Sequence, residues 1–246
     1  MNVLCVIPAR GKSKRVPNKN IRMLLKRPLI AYTIEKAKES KICKRVVVST
    51  NDLEIAKVAR EYNVDVVMRP DDLSQDTSPI DDALRHVVRF YNQKENFMAD
   101  IVVLLQANNP IRRKGEIDKV IKRLIEIDDA TAVVTGYLVD QRPEWMKIVA
   151  SKTGRIEPFM EPTNLYRKQD LPELYLIDGS VLAVRAQTLM ETEKIRTAHA
   201  FLGSNVYIIV HDAKYSIEID EEKDFEQAEY YLRKEIDKDM FLHNDL

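Results

Sequence analysis

The sequence predicts an α/β fold, a mostly parallel sheet with helices on both faces, and three observations carry that prediction. Short β-branched runs alternate with stretches of helical period along most of the chain. Those runs are apolar throughout, without the polar alternation of half-exposed strands, so both faces of the sheet must be covered. The first run, Asn2-Val3-Leu4-Cys5-Val6-Ile7, opens straight into a polar loop. Open α/β sheets bind ligands in just such loops, at the carboxyl ends of their strands. A chain of 246 residues can bury one full core. It is read as a single domain over residues 1–246, with residues 140–172 inserted as an extension.

The elements follow in order. A helix is expected from Pro28 to Ser40, with proline in its first turn and Leu29, Ile30, Tyr32, Ile34 and Ala37 as its apolar face. Arg45 to Thr50 reads as a second buried strand, after which Asn51 or Asp52 caps a helix reaching Tyr62. Val64 to Val67 is a short third strand. A loop from Arg69 to Ser78 leads into a long helix from Pro79 to Tyr91. Asp100 to Gln106 is the next central strand, Gly115 to Ile127 the next helix, and Thr131 to Thr135 another strand. The rhythm breaks after Val139. Asp140 to Pro172 is polar and irregular, with Trp145 and four prolines, and a stretch of that length in a compact domain usually serves function or assembly. Tyr175 to Val184, Asn205 to Val210 and Ser216 to Ile219 return as strands, and Glu221 to Ile236 forms a closing amphipathic helix.

Between Arg10 and Lys19 lie five cationic side chains, with Gly11 and Ser13 as small donors and no side chain that reads as core. Such a loop suits a polyanion such as a nucleoside triphosphate; a solvated basic loop is the plainer alternative. Lys plus Arg and Asp plus Glu both total 39, so the chain lacks the net basic field of a nucleic-acid binder. Cys5 and Cys43 offer neither a disulfide framework nor a zinc pattern, which favours a reducing cytoplasm. The apolar N-terminus is too short for a signal peptide or a membrane span. His86, His199, His211 and His243 show no metal spacing and read as structural or surface residues.

Ile7-Pro8-Ala9-Arg10-Gly11-x-Ser13-Lys14-x-Val16-Pro17-x-Lys19-Asn20 resembles the signature loop of the acylneuraminate cytidylyltransferases, the CMP–sialic acid synthetase family. The resemblance continues in order through Pro28 to Ile34, Val48-Ser49-Thr50, Arg69-Pro70-x-x-Leu73-x-x-Asp76-Thr77, Leu105-Gln106-x-x-x-Pro110-x-Arg112, Gln169-Asp170-Leu171-Pro172 and Ser216 to Asp220. It implies a Rossmann-like nucleotidyltransferase of the nucleotide-diphospho-sugar transferase type. Such an enzyme joins CTP to a nine-carbon nonulosonic acid and releases pyrophosphate, with Mg²⁺ or Mn²⁺ as cofactor. By the same resemblance, Arg10 and Lys19 face the phosphates, Ser13, Asn20 and Arg69 lie near the nucleotide, and Gly11 and Lys14 share the loop. Gln106 would contact the substrate. Lys147, Arg167 and Lys168, followed by Gln169, would hold the acceptor's carboxylate, and Asp178 would lie near the sugar. Arg10, Lys19 and Asp220 would carry catalysis, and the irregular extension would form a homodimer.

Glu218 and Asp220 are two apart in an expected strand, so both would project to one face. Hard oxygen ligands of this kind suit Mg²⁺; a solvated acidic edge strand is the ordinary alternative. Glu221, Glu222 and Asp224 would favour the N-terminus of the last helix through its dipole. Trp145 would either wall a sugar pocket or fill core. The chain departs from the family where Lys12 and Arg15 replace glycines, in Gln106-Ala107-Asn108-Asn109-Pro110, in Asp178-Gly179 for an Asn-Gly pair, and in Glu218 for an aspartate. A carboxylate at Asp178 opposes an acidic sugar unless an amine, hydroxyl or metal meets it. That leaves legionaminic, pseudaminic and amino-substituted acids open as acceptors. Another sugar acid or sugar phosphate with CTP or GTP, and a nucleotide-binding homologue without turnover, are the alternative readings.

Overall fold

In the computed structural model, which describes the backbone of residues 1–243 and side chains through residue 234, each apolar run of the sequence becomes a strand or the buried stripe of a helix. In chain order the elements are β1 (Val3–Pro8), the short strands β2 (Met23–Leu24) and β3 (Arg27–Pro28), α1 (Leu29–Lys38), β4 (Arg45–Thr50), α2 (Leu53–Glu61) and β5 (Asp65–Met68). Then come α3 (Ile80–Glu95), β6 (Ile101–Leu104), α4 (Glu116–Glu126), β7 (Ala132–Leu138), β8 (Lys147–Val149) and β9 (Ile156–Pro158). The chain closes with β10 (Tyr175–Arg185), α5 (Ala186–Glu191), β11 (Val206–Val210) and α6 (Glu222–His243).

Seven strands form the main sheet in the order β11-β7-β10-β6-β1-β4-β5. All neighbours pair in parallel except β10, which runs antiparallel to both β6 and β7. Side chains of β1 divide by parity. Val3, Cys5 and Ile7 join one core with α1, α2 and α4; Leu4 and Val6 join another with α3 and α5. Covering both faces explains why the strands carry no polar alternation. Asp52 caps α2, its Oδ1 accepting from Glu54 N at 2.9 Å and Ile55 N at 3.1 Å. α3 runs past Tyr91 to Glu95 and ends where Asn96 turns left-handed at φ 50°.

Four expectations need correction. Ser216 to Ile219 is no strand, since it pairs with no strand of the sheet; it is held instead by Ile219 N, which donates to Asn108 O at 2.8 Å. Its alternation survives, with Ile217 and Ile219 buried and Glu218 and Asp220 turned the other way, half-buried. The extension is not wholly irregular, since β8 and β9 form an antiparallel hairpin from Lys147–Pro158 to Val149–Ile156. Third, Cys5 and Cys43 are bonded, because the β1–β4 pairing that sets Leu4 beside Arg45 also brings the preceding loop against β1, with Cα atoms 6.1 Å apart. The thiol argument for a reducing compartment therefore lapses. Finally, the basic loop does contribute core. Val16 is 1% exposed and packs with Leu24, Leu29, Ile217, Ile219 and Phe225 in a third apolar cluster beneath α6.

Candidate active site

From β1 the chain passes through α1 to β4 on one side, and from β5 through α3 to β6 on the other. The carboxyl ends of β1 and β6 thus flank a topological switch point, where open α/β sheets leave a crevice. A cleft of about 510 Å³ lies there, lined by Arg10, Ser13, Lys14, Lys19, Asn20, Arg69, Gln106, Asn108 and Asp220 among others. Eight residues expected from sequence therefore meet in one place. The loop from Arg10 to Lys19 is held rigidly enough to aim them. Val16 anchors its middle, Asn20 Nδ2 donates to Arg10 O at 3.0 Å, and Gly11 N donates to Asn51 Oδ1 at 3.1 Å. A Cβ on Gly11 would stand 2.6 Å from an Asp52 carboxylate oxygen, so a larger residue there would displace the side chain that caps α2. Lys12 sits left-handed at φ 52°, a conformation that costs a non-glycine residue about 1 kcal/mol or more.

Charge in the cleft is balanced from its opposite wall. Arg10 and Lys14 both pair with Asp76, and those two cations hold its carboxyl below the ordinary range. Arg69 is buried, and that burial, with Arg10 nearby, lowers its guanidinium to about 10, still charged at neutral pH. Lys19 Nζ donates to Ile219 O at 2.7 Å and to Asp220 Oδ1 at 2.8 Å, and Asn108 Nδ2 reaches the same oxygen at 3.3 Å. Burial alone would raise the Asp220 carboxyl, but Lys19 and Asn108 together bring it below its usual value. Glu218 behaves oppositely. Burial raises it, the charges of Asp220 and Asp178 add to that, and Gly179 N, donating to its Oε1 at 2.7 Å, offsets part.

Glu218 and Asp220 are the groups that could hold a metal. Among the described residues no three metal-ligating side chains cluster. Two carboxylates alone do not make a closed metal centre, but Mg²⁺ is commonly held by one or two carboxylates and completed by phosphate oxygens. The donor set fits that kind of ion.

Asp178 requires a correction. It does not face the cleft but lies buried behind it at 5% exposure, both oxygens engaged. Oδ1 accepts from Thr135 Oγ1 at 2.6 Å and Ser180 N at 2.9 Å; Oδ2 accepts from Ser216 Oγ and lies 2.5 Å from His211 Nε2. The other nitrogen of His211, Nδ1, lies 2.9 Å from Glu116 Oε1. Burial would lower the pKa of this imidazole, but the two carboxylates raise it to about 9. Nothing in the sequence marked His211, because its partners come from β10 and α4. Arg112 is also buried, donating to Gln106 O, Asn109 O, Ser180 O and Thr33 Oγ1. Asn108 lines the cleft although its replacement of the family residue had suggested only a departure.

Lys147, Arg167, Lys168 and Gln169 are not brought to this cleft. All four are exposed on the extension, Lys168 pairing with Asp140 and Arg167 with Asp170. Trp145 is half-exposed there, with Nε1 donating to Leu165 O at 3.3 Å, so it fills no core. Glu222 does more than favour the last helix dipole, since it forms a paired contact with Arg22.

The His211 cluster yields a pH prediction. A pKa that rises from 6.5 to about 9 on folding gives stabilisation that is complete below pH 6.5 and disappears as pH rises through about 9. At about 1.4 kcal/mol per unit its contribution is at most about 3 kcal/mol. Denaturant titrations from pH 6 to 9.5 are expected to show the parent protein losing stability with one more proton in its slope than His211→Gln. Parallel curves for the two proteins would mean the ring is not held protonated in the fold.

The sequence profile of the cytidylyltransferase family matches residues 4–238. CMP-N,N'-diacetyllegionaminic acid synthase from Legionella pneumophila is 33% identical over 197 residues, covering 78% of this chain and 82% of that protein. N-acylneuraminate cytidylyltransferase from Escherichia coli is 27% identical over 98% of this chain, which spans 56% of that longer relative. Among solved structures, CMP:2-keto-3-deoxy-manno-octonic acid synthetase complexed with CTP superposes with a TM-score of 0.71 at 16% identity, covering 96% of this chain and 100% of the other. The last comparison bears on the fold alone, and it agrees with a Rossmann-like α/β sheet. With the profile spanning almost the whole described chain and the cationic cleft at its switch point, this protein belongs to the cytidylyltransferase family.

Proposed function

We propose that this protein transfers a cytidylyl group from CTP to a nonulosonic acid, forming the CMP-sugar and releasing pyrophosphate. The observation that carries the reading is the convergence of Arg10, Lys14, Lys19 and Arg69 on one cleft at the switch point of a cytidylyltransferase sheet. A sugar hydroxyl attacks the α-phosphorus in line; the new oxygen–phosphorus bond forms as the bond to the β-phosphate oxygen breaks. Little covalent chemistry falls to the protein, so positioning and charge neutralisation supply the rate. Arg10 and Lys14 exchange Asp76 for phosphate oxygens. Lys19, already steered by Ile219 O and Asp220, stands where charge develops on the transferred group. Glu218 and Asp220 would hold a divalent cation, Mg²⁺ or Mn²⁺, whose charge when bound neutralises the triphosphate.

The acceptor class rests on the relatives' names and on the chain's own cations. Lys147, Arg167, Lys168 and Gln169 lie on an extension whose apolar side chains are uncovered, with Val149 71%, Phe159 60% and Ile156 59% exposed. We read this face as a homodimer contact through which each extension delivers its cations to the partner's cleft and meets the acceptor's carboxylate. No helix among the described residues is long and apolar enough to cross a membrane. Its CTP requirement fits a cytoplasmic enzyme, and no nucleic acid is implied.

Three measurements test this reading. Arg10→Ala is expected to weaken CTP binding tenfold to over a hundredfold in calorimetry, the consequence of one lost charge-assisted contact worth about 1.5–3 kcal/mol, with an unchanged melting temperature. Parent-like affinity would remove the phosphate role from this loop. Turnover is expected to require Mg²⁺ or Mn²⁺, and Asp220→Asn to cost far more than Glu222→Gln, with partial recovery at high Mg²⁺. Equal effects, or full activity in EDTA, would place the metal elsewhere. Replacing residues 146–166 by a short Gly-Ser linker is expected to give a monomer in sedimentation that still binds CTP but no longer turns over. A truncated protein that remains dimeric would refute the interface.

A further inference from the structure

Asp178 stands one residue before the glycine that joins both sides of the acceptor floor. Gly179 N donates to Glu218 Oε1, and Gly179 O accepts from Gln106 N at 3.1 Å. A Cβ on Gly179 would stand 2.3 Å from the Gln106 side chain, so the two are packed without slack. A carboxylate at position 178 is thus a single peptide unit from the glycine that touches both Gln106, expected to contact the substrate, and Glu218, expected to hold the metal.

That charge is answered from behind. His211 places one ring nitrogen 2.5 Å from Asp178 Oδ2 and the other 2.9 Å from Glu116 Oε1, and its side chain is fully buried. A neutral imidazole has one donor and one acceptor, so with both carboxylates ionised only the imidazolium donates to each; Ser216 Oγ, 2.9 Å from Nε2, shares the side that faces Asp178. Ser216 and Thr135 hydroxyls and Ser180 N complete the shell of Asp178. Glu116, in the first turn of α4, also gains from that helix's N-terminal dipole.

Building on the proposed acid acceptor, we infer that His211 is a positioning residue that sets specificity: it keeps the Asp178 carboxylate turned inward and neutralised, so that the floor formed by Gly179, Gln106 and Glu218 admits an anionic sugar. An acidic residue at position 178 then demands no amine on the acceptor. Removing His211 alone leaves two buried carboxylates, Asp178 and Glu116, without their shared cation, and of the two it is Asp178 that adjoins Gly179 in the floor; removing the charge of Asp178 as well abolishes the conflict there.

The test is a double-substitution series, His211→Gln, Asp178→Asn and both together. Pyrophosphate release is measured with CTP, Mg²⁺ and N,N'-diacetyllegionaminic acid, alongside CTP affinity by calorimetry and amide exchange by mass spectrometry. His211→Gln is expected to raise KM for the sugar acid at least tenfold and leave CTP affinity within twofold. Adding Asp178→Asn is expected to bring KM back to within threefold of the parent. Exchange is expected to quicken in residues 177–180 and 217–220 of His211→Gln, to recover in the double variant, and to stay unchanged in residues 9–20. A double variant no better than His211→Gln, or a CTP affinity that falls in step with KM, overturns the inference. Asp178→Asn alone nearly preserves volume and is expected to keep KM within threefold; a tenfold rise overturns it even if His211→Gln does not fold. Exchange needs no turnover. A parent enzyme inactive on this acid therefore counts against the acceptor reading, while unchanged exchange in residues 177–180 and 217–220 counts against His211.

Discussion

One buried guanidinium holds the Gln106 side of the cleft in shape. Arg112 is 4% exposed and donates from three nitrogens into three separate stretches of chain. It reaches Gln106 O at 2.7 Å and Asn109 O at 2.5 Å in the loop after β6, Ser180 O at 2.7 Å in β10, and Thr33 Oγ1 at 2.7 Å on α1. The planar fork of arginine can serve all of these acceptors at once, which a lysine could not. Burial lowers its pKa to about 10, but it remains charged at neutral pH, with Asp178, Glu116 and Glu218 offsetting the cost of that burial. Where the β10–β7 register shifts between Ile177 and Leu182, backbone carbonyls lose their ladder partners, and Arg112 takes up two of them.

From that fixed point, charges alternate outward through the site. Arg112 and His211 lie behind the floor; Asp178, Glu116 and Glu218 form the next layer; Lys19 engages Asp220; Arg10 and Lys14 meet Asp76 across the opening. This layering reconciles a zero net charge with a cleft that gathers five cations. Isolated charges at such depth would carry a large desolvation penalty, and the charges of these layers are therefore matched nearby. Arg69, by contrast, is buried with only Ser74 Oγ, among the described residues, accepting from its Nε, and its pKa is lowered accordingly. Glu218 is the member of the acidic layer whose one described hydrogen bond comes from a neutral amide, and its carboxyl is correspondingly raised.

Local patterns in the chain made much of this legible. β1 and its loop were readable because seven apolar or small residues precede a run of cations, and α1 because proline stands at its first turn before a helical stripe. Parity in Ile217-Glu218-Ile219-Asp220 placed both carboxylates on one side even though no ladder forms there, since extended backbone alternates whether or not it is paired. The hairpin of β8 and β9 was hidden, as strands of three residues on an exposed arm carry no hydrophobic alternation to detect. Leu25 and Lys26 both turn left-handed between β2 and β3, without the Asn-Gly pair that normally announces such a turn.

The sequence by itself determined the sheet-and-helix class, the main-sheet strands β1, β4, β5, β6 and β7, and the cationic loop after β1, because each of these follows from side-chain period or composition within a short window. Only the tertiary structure decided that Val16 is core, that Cys5 meets Cys43, that Asp178 turns away from the cleft, and that His211 sits between two carboxylates. The last three of those outcomes depend on partners 33 to 95 positions away, and Val16 meets Ile217 and Phe225 about 200 positions on, all brought together by strand order and by the antiparallel insertion of β10. A residue's neighbours in sequence set its local conformation, but the dielectric and the charges around it are supplied by whatever the fold packs against it.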